Sequence, residues 1–207
     1  MNKKHVSFNV LITGTGGQGV VLLTRILGEA ALIEDFSVRI GEIHGVSQRG
    51  GSIVSHIKFG NELYCSTFTY ASAQAVLSLE VAETLNGLDY LAPNGLLLFN
   101  EKAFIPASSK ASKNKYPDEL TVRELAQTRT KYIYSIDANK VAKENGFPKS
   151  ANIVMLGLLA ETNKLPMRKE ALVNAMKSIL TERLVDINLQ AFAVGTQLLK
   201  KAGRIDQ

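Results

Sequence analysis

A single cysteine, Cys65, stands in the whole chain, which excludes an intrachain disulfide and a self-contained iron–sulfur cluster, since such a cluster takes about four thiolates. Histidine is nearly as scarce. His5, His44 and His56 have no metal-ligand spacing, and one thiol cannot complete a zinc site, so no metal is expected. No run approaches the roughly 20 apolar residues of a membrane span. The opening MNKKHVSFNV leads into a short strand rather than the apolar core of a secretory signal, so a cytoplasmic protein away from membranes is expected. A nucleic-acid footprint is missing too: the formal charge is only +5, from 24 Lys+Arg against 19 Asp+Glu, and no basic stripe interleaves with the scattered Tyr and Phe. Part of that excess, Lys3, Lys4, Lys110, Lys113 and Lys115, falls in two segments that read as solvated. There is no G-x-S-x-G elbow, and Ser47 and Ser52 near His44 make no triad by proximity. No complete catalytic constellation is visible. Cys65, in what reads as an apolar strand, is expected to be inert core.

What is present is the composition of an ordinary globular protein. At 207 residues, 45% hydrophobic and 21% charged, the chain suits one domain, spanning 1–207, with a substantial core. Its most informative stretch runs from Asn9 to Leu27. Val10, Leu11 and Ile12 suit a strand buried on both faces, and a helix from Val20 to Leu27 follows, continuing to Leu32. Between them Gly14, Gly16 and Gly19 satisfy G-x-G-x-x-G, with Gly17 and Gln18 inside it. In that motif the glycines allow the turn, the close approach of backbone to a ligand, and the packing of helix on strand. The free N–H groups and dipole of the helix start favour an anion, for which phosphate is the natural guest. The same glycines are also what a tight βα turn needs with no ligand at all.

Further along, Phe36 to Ile40 reads as a second strand, completing a βαβ unit with adjacent parallel strands. Glu42 stands where dinucleotide folds keep a ribose-binding acid, which favours NAD. Ser52 to Lys58 alternates like a strand, Phe59 to Glu62 reads as a turn, and Leu63 to Phe68 reads as the return strand of a hairpin. Strands are expected at Ala75 to Leu79, Leu96 to Asn100 and Tyr132 to Ile136, with a helix at Val81 to Leu91 and a turn at Pro93-Asn94-Gly95. Residues 101 to 118 read as loop. Asp137 is placed to cap a helix ended by Gly146, and the last third reads as helices at Asn152 to Glu161, Arg168 to Glu182 and Ile187 to Lys200. The architecture expected is three-layer α/β/α, with a mostly parallel, mixed sheet and a helical C-terminal end.

A second glycine-punctuated stretch, from Ile43 to Ser52, has no reason to exist in an ordinary dinucleotide domain. His44 lies beside Gly45, and Arg49 precedes Gly50 and Gly51, where its forked donors suit a phosphate or carboxylate. Both residues are equally compatible with a turn and a surface ion pair. If the two loops follow neighbouring parallel strands, they meet at the sheet's C-terminal edge, where open α/β folds bind ligands. A free-standing NAD-dependent oxidoreductase and a nucleotide-sensing regulatory domain both remain open on these residues alone.

Together, Gly14-Thr15-Gly16-Gly17-Gln18-Gly19 and His44-Gly45-Val46-Ser47-Gln48-Arg49-Gly50-Gly51-Ser52 resemble the small subunit of 2-oxoacid:ferredoxin oxidoreductases. The H-G-x-x-Q-R-G-G-S form is similar to the indolepyruvate branch. The resemblance spans about residues 6 to 200. It implies a divided enzyme whose large partner subunit carries thiamine diphosphate and iron–sulfur clusters, so that one cysteine suffices here. The implied reaction is oxidative decarboxylation of an aryl 2-oxoacid, with coenzyme A as co-substrate and ferredoxin as electron acceptor. By the same resemblance Gly14, Gly16, Gly17, Gln18, Gly19, Gln48, Arg49, Gly50, Gly51 and Ser52 face the active-site cleft, and Asn152 matches a recurrent position. No residue of this chain is implied as catalytic or metal-binding.

Overall fold

A computed structural model describes residues 7–45, 50–105 and 116–202. The chain runs β1 (Phe8–Thr15), α1 (Val20–Ile33), β2 (Ser37–His44), β3 (Ser52–Gly60), β4 (Ala73–Ser78), α2 (Glu83–Leu88) and β5 (Leu91–Asn100). It continues as α3 (Glu119–Gln127), β6 (Ile133–Ile136), α4 (Ala138–Glu144), α5 (Ala151–Glu161), α6 (Lys169–Ile179) and α7 (Glu182–Ala202). The six strands form one mixed sheet in the order β2-β3-β1-β4-β5-β6, in which β1, β4, β5 and β6 are parallel.

Alternate residues of the buried strands feed two cores. Val10, Ile12, Leu77 and Leu98 face one cluster with Leu23, Ile26 and Leu27 of α1 and most of α5. Leu11, Val76, Leu97 and Phe99 face the other, with Val81, Leu88, and Val122 and Ala126 of α3. The result is the expected three-layer α/β/α arrangement. α5 is buried almost all round because it lies between the sheet layer and α7, so its uniformly apolar sequence marks an inner helix. α1 is tied to β3 by a buried hydroxyl pair, Thr24 with Ser55 at 2.9 Å.

The strand neighbours differ from expectation. β2 and β1 run the same way, but β3 lies between them, antiparallel to both, so they are not adjacent. The hairpin is therefore β2–β3, and the second glycine stretch is its connection. Leu63 to Phe68 forms no return strand, because β1 and β2 already occupy both edges of β3. That segment instead crosses the sheet face, with Ser66 and Thr67 against Gly41. Cys65 is accordingly exposed rather than core.

Pro93-Asn94-Gly95 does not break β5 into a separate turn and strand. It bulges within it, the pairing with β4 jumping from Ala73↔Leu91 to Ala75↔Leu96. The helix expected over Val81 to Leu91 is shorter, and α3 was not anticipated although Asp118 caps it by accepting from Thr121 N at 2.9 Å. Asp137 caps α4 as its sequence suggests, accepting from Lys140 N at 2.9 Å.

Candidate functional site

At the C-terminal edge of the parallel strands the two glycine stretches meet. Thr15, last in β1, pairs with Ser52, first in β3, and just beyond them Gly16 N donates to Gly51 O at 2.9 Å. The loops converge because β3 brings its N-terminal end to the β1 turn, not because two parallel strands are adjacent. Gln48 and Arg49 lie outside the described residues. Gly50 and Gly51 sit at the start of β3 beside the first loop.

The first loop sorts its residues by direction. Gln18 turns inward: its Oε1 accepts from Thr15 N at 2.7 Å, and its own N–H donates to Thr15 O at 3.1 Å. Gly14 is enclosed, since a Cβ there would come within 2.9 Å of Gln18 Oε1 and of Val20 Cγ2. Gly19, which begins α1, takes a left-handed φ of 87° that a larger residue would resist. A Cβ on it would also fall 2.3 Å from Nδ2 of Asn152, on the first turn of α5. No side chain caps α1 and no acid stands in its first turn, so its N–H groups face the loop with their dipole uncompensated.

The other side of the edge is acidic. Ser52 Oγ donates to Glu83 Oε2 at 2.6 Å, and Asn86 Nδ2 donates to the same oxygen at 2.8 Å. Glu80, wholly buried at the end of β4, accepts from Glu83 N at 3.0 Å, Phe104 N at 2.9 Å and Tyr116 OH at 2.9 Å. Burial, and then the Glu80 carboxylate, push the Tyr116 phenol far up from its ordinary range. Asn100 organises the ends of β5 and β6: its Nδ2 donates to Leu79 O and to Asn139 Oδ1, and its Oδ1 accepts from Ala138 N. Sequence reasoning passed over Glu80 and Asn100. The available signal was a polar residue closing an apolar strand, Leu77-Ser78-Leu79-Glu80 and Leu98-Phe99-Asn100.

Glu42 does not reach this edge as a ribose-binding acid would. It lies on the outermost strand, separated from β1 by β3, with its carboxylate 3.1 Å from His44 Nε2. The dinucleotide reading loses its second support, because that acid belongs after the strand beside β1. Cys65 Sγ lies 3.5 Å from Thr67 Oγ1, a contact that lowers its thiol pKa, with the Lys58 charge a lesser cause. Among the described residues no cluster of His, Cys, Asp and Glu could hold a metal, and no helix is long and apolar enough to cross a membrane.

Known proteins match this chain over nearly its whole length. The "Indolepyruvate oxidoreductase subunit IorB" of Thermococcus kodakarensis is 32% identical over 196 residues, 94% of this chain and 96% of that protein. The "2-oxoglutarate synthase subunit KorC" of Methanocaldococcus jannaschii is 26% identical over 206 residues, 97% of this chain and 100% of its own. Among solved structures, the gamma subunit of keto/oxoacid ferredoxin oxidoreductase from Geobacter sulfurreducens superposes with a TM-score of 0.67, covering 92% of this chain and 96% of that one at 24% identity, which shows a common fold. The sequence pattern described as pyruvate ferredoxin/flavodoxin oxidoreductase matches residues 9–198, and the chain belongs to that family.

Proposed function

We propose that this chain is the small subunit of a thiamine diphosphate-dependent 2-oxoacid:ferredoxin oxidoreductase that acts on indolepyruvate. The observation that carries the reading is the higher identity, over nearly full length, to relatives named for indolepyruvate than to those named for 2-oxoglutarate. The reaction joins the 2-oxoacid, coenzyme A and two oxidised ferredoxins, and yields the acyl-CoA, carbon dioxide, a proton and two reduced ferredoxins. Thiamine diphosphate, when bound in the large partner, supplies the electron sink for loss of carbon dioxide. With one cysteine, this chain leaves the iron–sulfur clusters to that partner as well.

The chain's own part is to shape one wall of the cleft. Gly14 and Gln18 hold the first loop from within, and Gly16 staples it to Gly51. Gly17 and Gly19 leave the start of α1 bare, and Gly50 and Gly51 stand beside it; on the sequence motif alone, Gln48 and Arg49 are assigned to the same site. Ser52 keeps its hydroxyl proton on Glu83, so toward the cleft it offers an acceptor.

The test is reconstitution. The purified chain is expected to be inert with indolepyruvate, coenzyme A and a viologen acceptor, and to gain activity only with a large, cluster-bearing partner. That complex should prefer indolepyruvate to 2-oxoglutarate. Turnover by the chain alone would overturn the subunit reading, and a preference for 2-oxoglutarate would overturn the substrate.

A further inference from the structure

On the face of the sheet that α2 covers, an apolar shelf ends in a single prepared acceptor. Ile43 pairs with Val54 across the β2–β3 ladder, and Ser52, two residues before Val54, points to the same face. Ile43 is 53% exposed, an aliphatic side chain left open at the edge where the glycine stretches meet, and Val54 is partly buried beside it. At the end of this shelf the Ser52 hydroxyl proton is committed to Glu83 Oε2 at 2.6 Å. Asn86 Nδ2 holds that same carboxylate oxygen at 2.8 Å and stands farther, 3.5 Å, from Ser52 Oγ. A hydroxyl oxygen has two lone pairs, and giving its proton to a carboxylate makes it a stronger acceptor. An acceptor of this kind beside aliphatic surface suits a flat apolar ring that carries one N–H. The neighbouring carboxylate makes it a poor place for a second negative charge.

We propose that Ser52 and Glu83 determine which 2-oxoacid is accepted: the indole ring rests on Ile43 and Val54 and donates its N–H to Ser52 Oγ, while the Glu83 carboxylate repels the second carboxylate that 2-oxoglutarate carries at the same end. This rests on the reading of the chain as the small subunit of an indolepyruvate-oxidising complex. Ser52 touches the ring. Glu83 acts on the ring through Ser52, whose proton it holds, and so is a positioning residue for indolepyruvate and a repelling charge for a dicarboxylate. The two effects separate by substrate. Phenylpyruvate brings an apolar ring with no N–H and reports the hydrogen bond, because a group placed to accept from a substrate is left unpaired by an analogue that lacks the donor. 2-Oxoglutarate reports the charge.

The experiment measures kcat/KM of the reconstituted complex for indolepyruvate, phenylpyruvate and 2-oxoglutarate, with assembly checked by gel filtration. Two ratios are read, indolepyruvate over phenylpyruvate and indolepyruvate over 2-oxoglutarate. Ser52→Ala should lower the first ratio roughly fivefold to tenfold. Glu83→Gln keeps a carbonyl oxygen for the Ser52 hydroxyl but removes the charge, so it should lower the second ratio about fivefold or more and the first by less. A merely structural tie between β3 and α2 would instead depress all three substrates together and move neither ratio. A first ratio unmoved by Ser52→Ala, or a second ratio unmoved by Glu83→Gln, overturns the proposal. The variants are independent, so a complex that fails to assemble with one leaves the other to decide. The wild-type complex tests the reading beneath: inertness toward indolepyruvate or a preference for 2-oxoglutarate overturns that reading, whereas a wild-type preference for indolepyruvate with unmoved ratios in the variants keeps the function and discards Ser52 and Glu83 as its determinants.

Discussion

On one face of the sheet α5 and α7 cross so closely that a Cβ on Gly157 would fall 2.2 Å from the Phe192 carbonyl oxygen, and one on Gly195 would fall 2.1 Å from that of Val154. On the other face the cover is two short helices and the segment between β3 and β4, and buried beneath it His56 has no hydrogen bond at either ring nitrogen among the described residues. At the α5–α7 crossing the two helices meet backbone against backbone, with no room for a side chain between them. The second face admits polar groups, Glu80 and Tyr116 among them, because it must hold irregular segments at the edge where the glycine loops meet. Stability is thus concentrated on the α5–α7 side, and adjustable geometry on the α2–α3 side.

The sharpest way to break that contrast is Gly157→Val. The atoms in the way are backbone, the Phe192 carbonyl at 2.2 Å and Gly195 Cα at 3.1 Å, so no rotamer change relieves the overlap. The helices must separate, and a loss of about 3 kcal/mol or more is expected. A urea midpoint close to wild type would mean that the crossing is looser than its geometry requires.

On the opposite face the corresponding change should be mild. Tyr116→Phe removes one of the three donors to Glu80 among the described residues and leaves Phe104 N and Glu83 N in place. A loss of about 1 kcal/mol is expected, a melting shift of roughly 2–4 °C for a chain of this size. Absorbance titration should show one late-ionising phenol fewer, since Tyr116 is held protonated by burial and by Glu80. A collapse as large as that of Gly157→Val would place Tyr116 in the foundation of the fold.

The contrast also explains what the sequence revealed. The strand–glycine–helix unit from Phe8 to Ile33 was legible because apolar run, glycine turn and amphipathic repeat all agree locally. Strand order was not: the alternation over Ser52 to Lys58 announces a strand, but nothing local says that it pairs with β1 on one side and β2 on the other. Cys65 was misplaced for the same reason, since Leu63 and Tyr64 look like strand until both edges of β3 prove occupied; Tyr64 is in fact 92% exposed. At the site, the glycines could be read, whereas the meeting of Gly19 with Asn152 depends on how α5 packs under α1 and leaves no local trace.

The smallest effect expected is a slope rather than a collapse, and it belongs to His56. The ring is 1% exposed and stands edge-on to Phe68 at 4.5 Å and to Tyr90 at 5.1 Å between centroids, so an N–H can meet only an aromatic face. Burial lowers its pKa below the ordinary 6.5, because an imidazolium there would lose its water without gaining a counter-charge. Between that lowered folded value and 6.5 the unfolded chain binds more protons than the folded one, so stability rises with pH across the window. The contribution is fully present above 6.5 and is lost as acid protonates the ring. Other groups titrate nearby, so the measurement is a difference: urea midpoints of wild type and His56→Leu at about pH 7.5 and about pH 5.5. The wild type should lose more stability on acidification than the variant does, whatever the offset between them at the higher pH. Equal losses would mean that His56 gains a partner when it takes up a proton, and that the second face is less dry beneath the loop than its packing indicates.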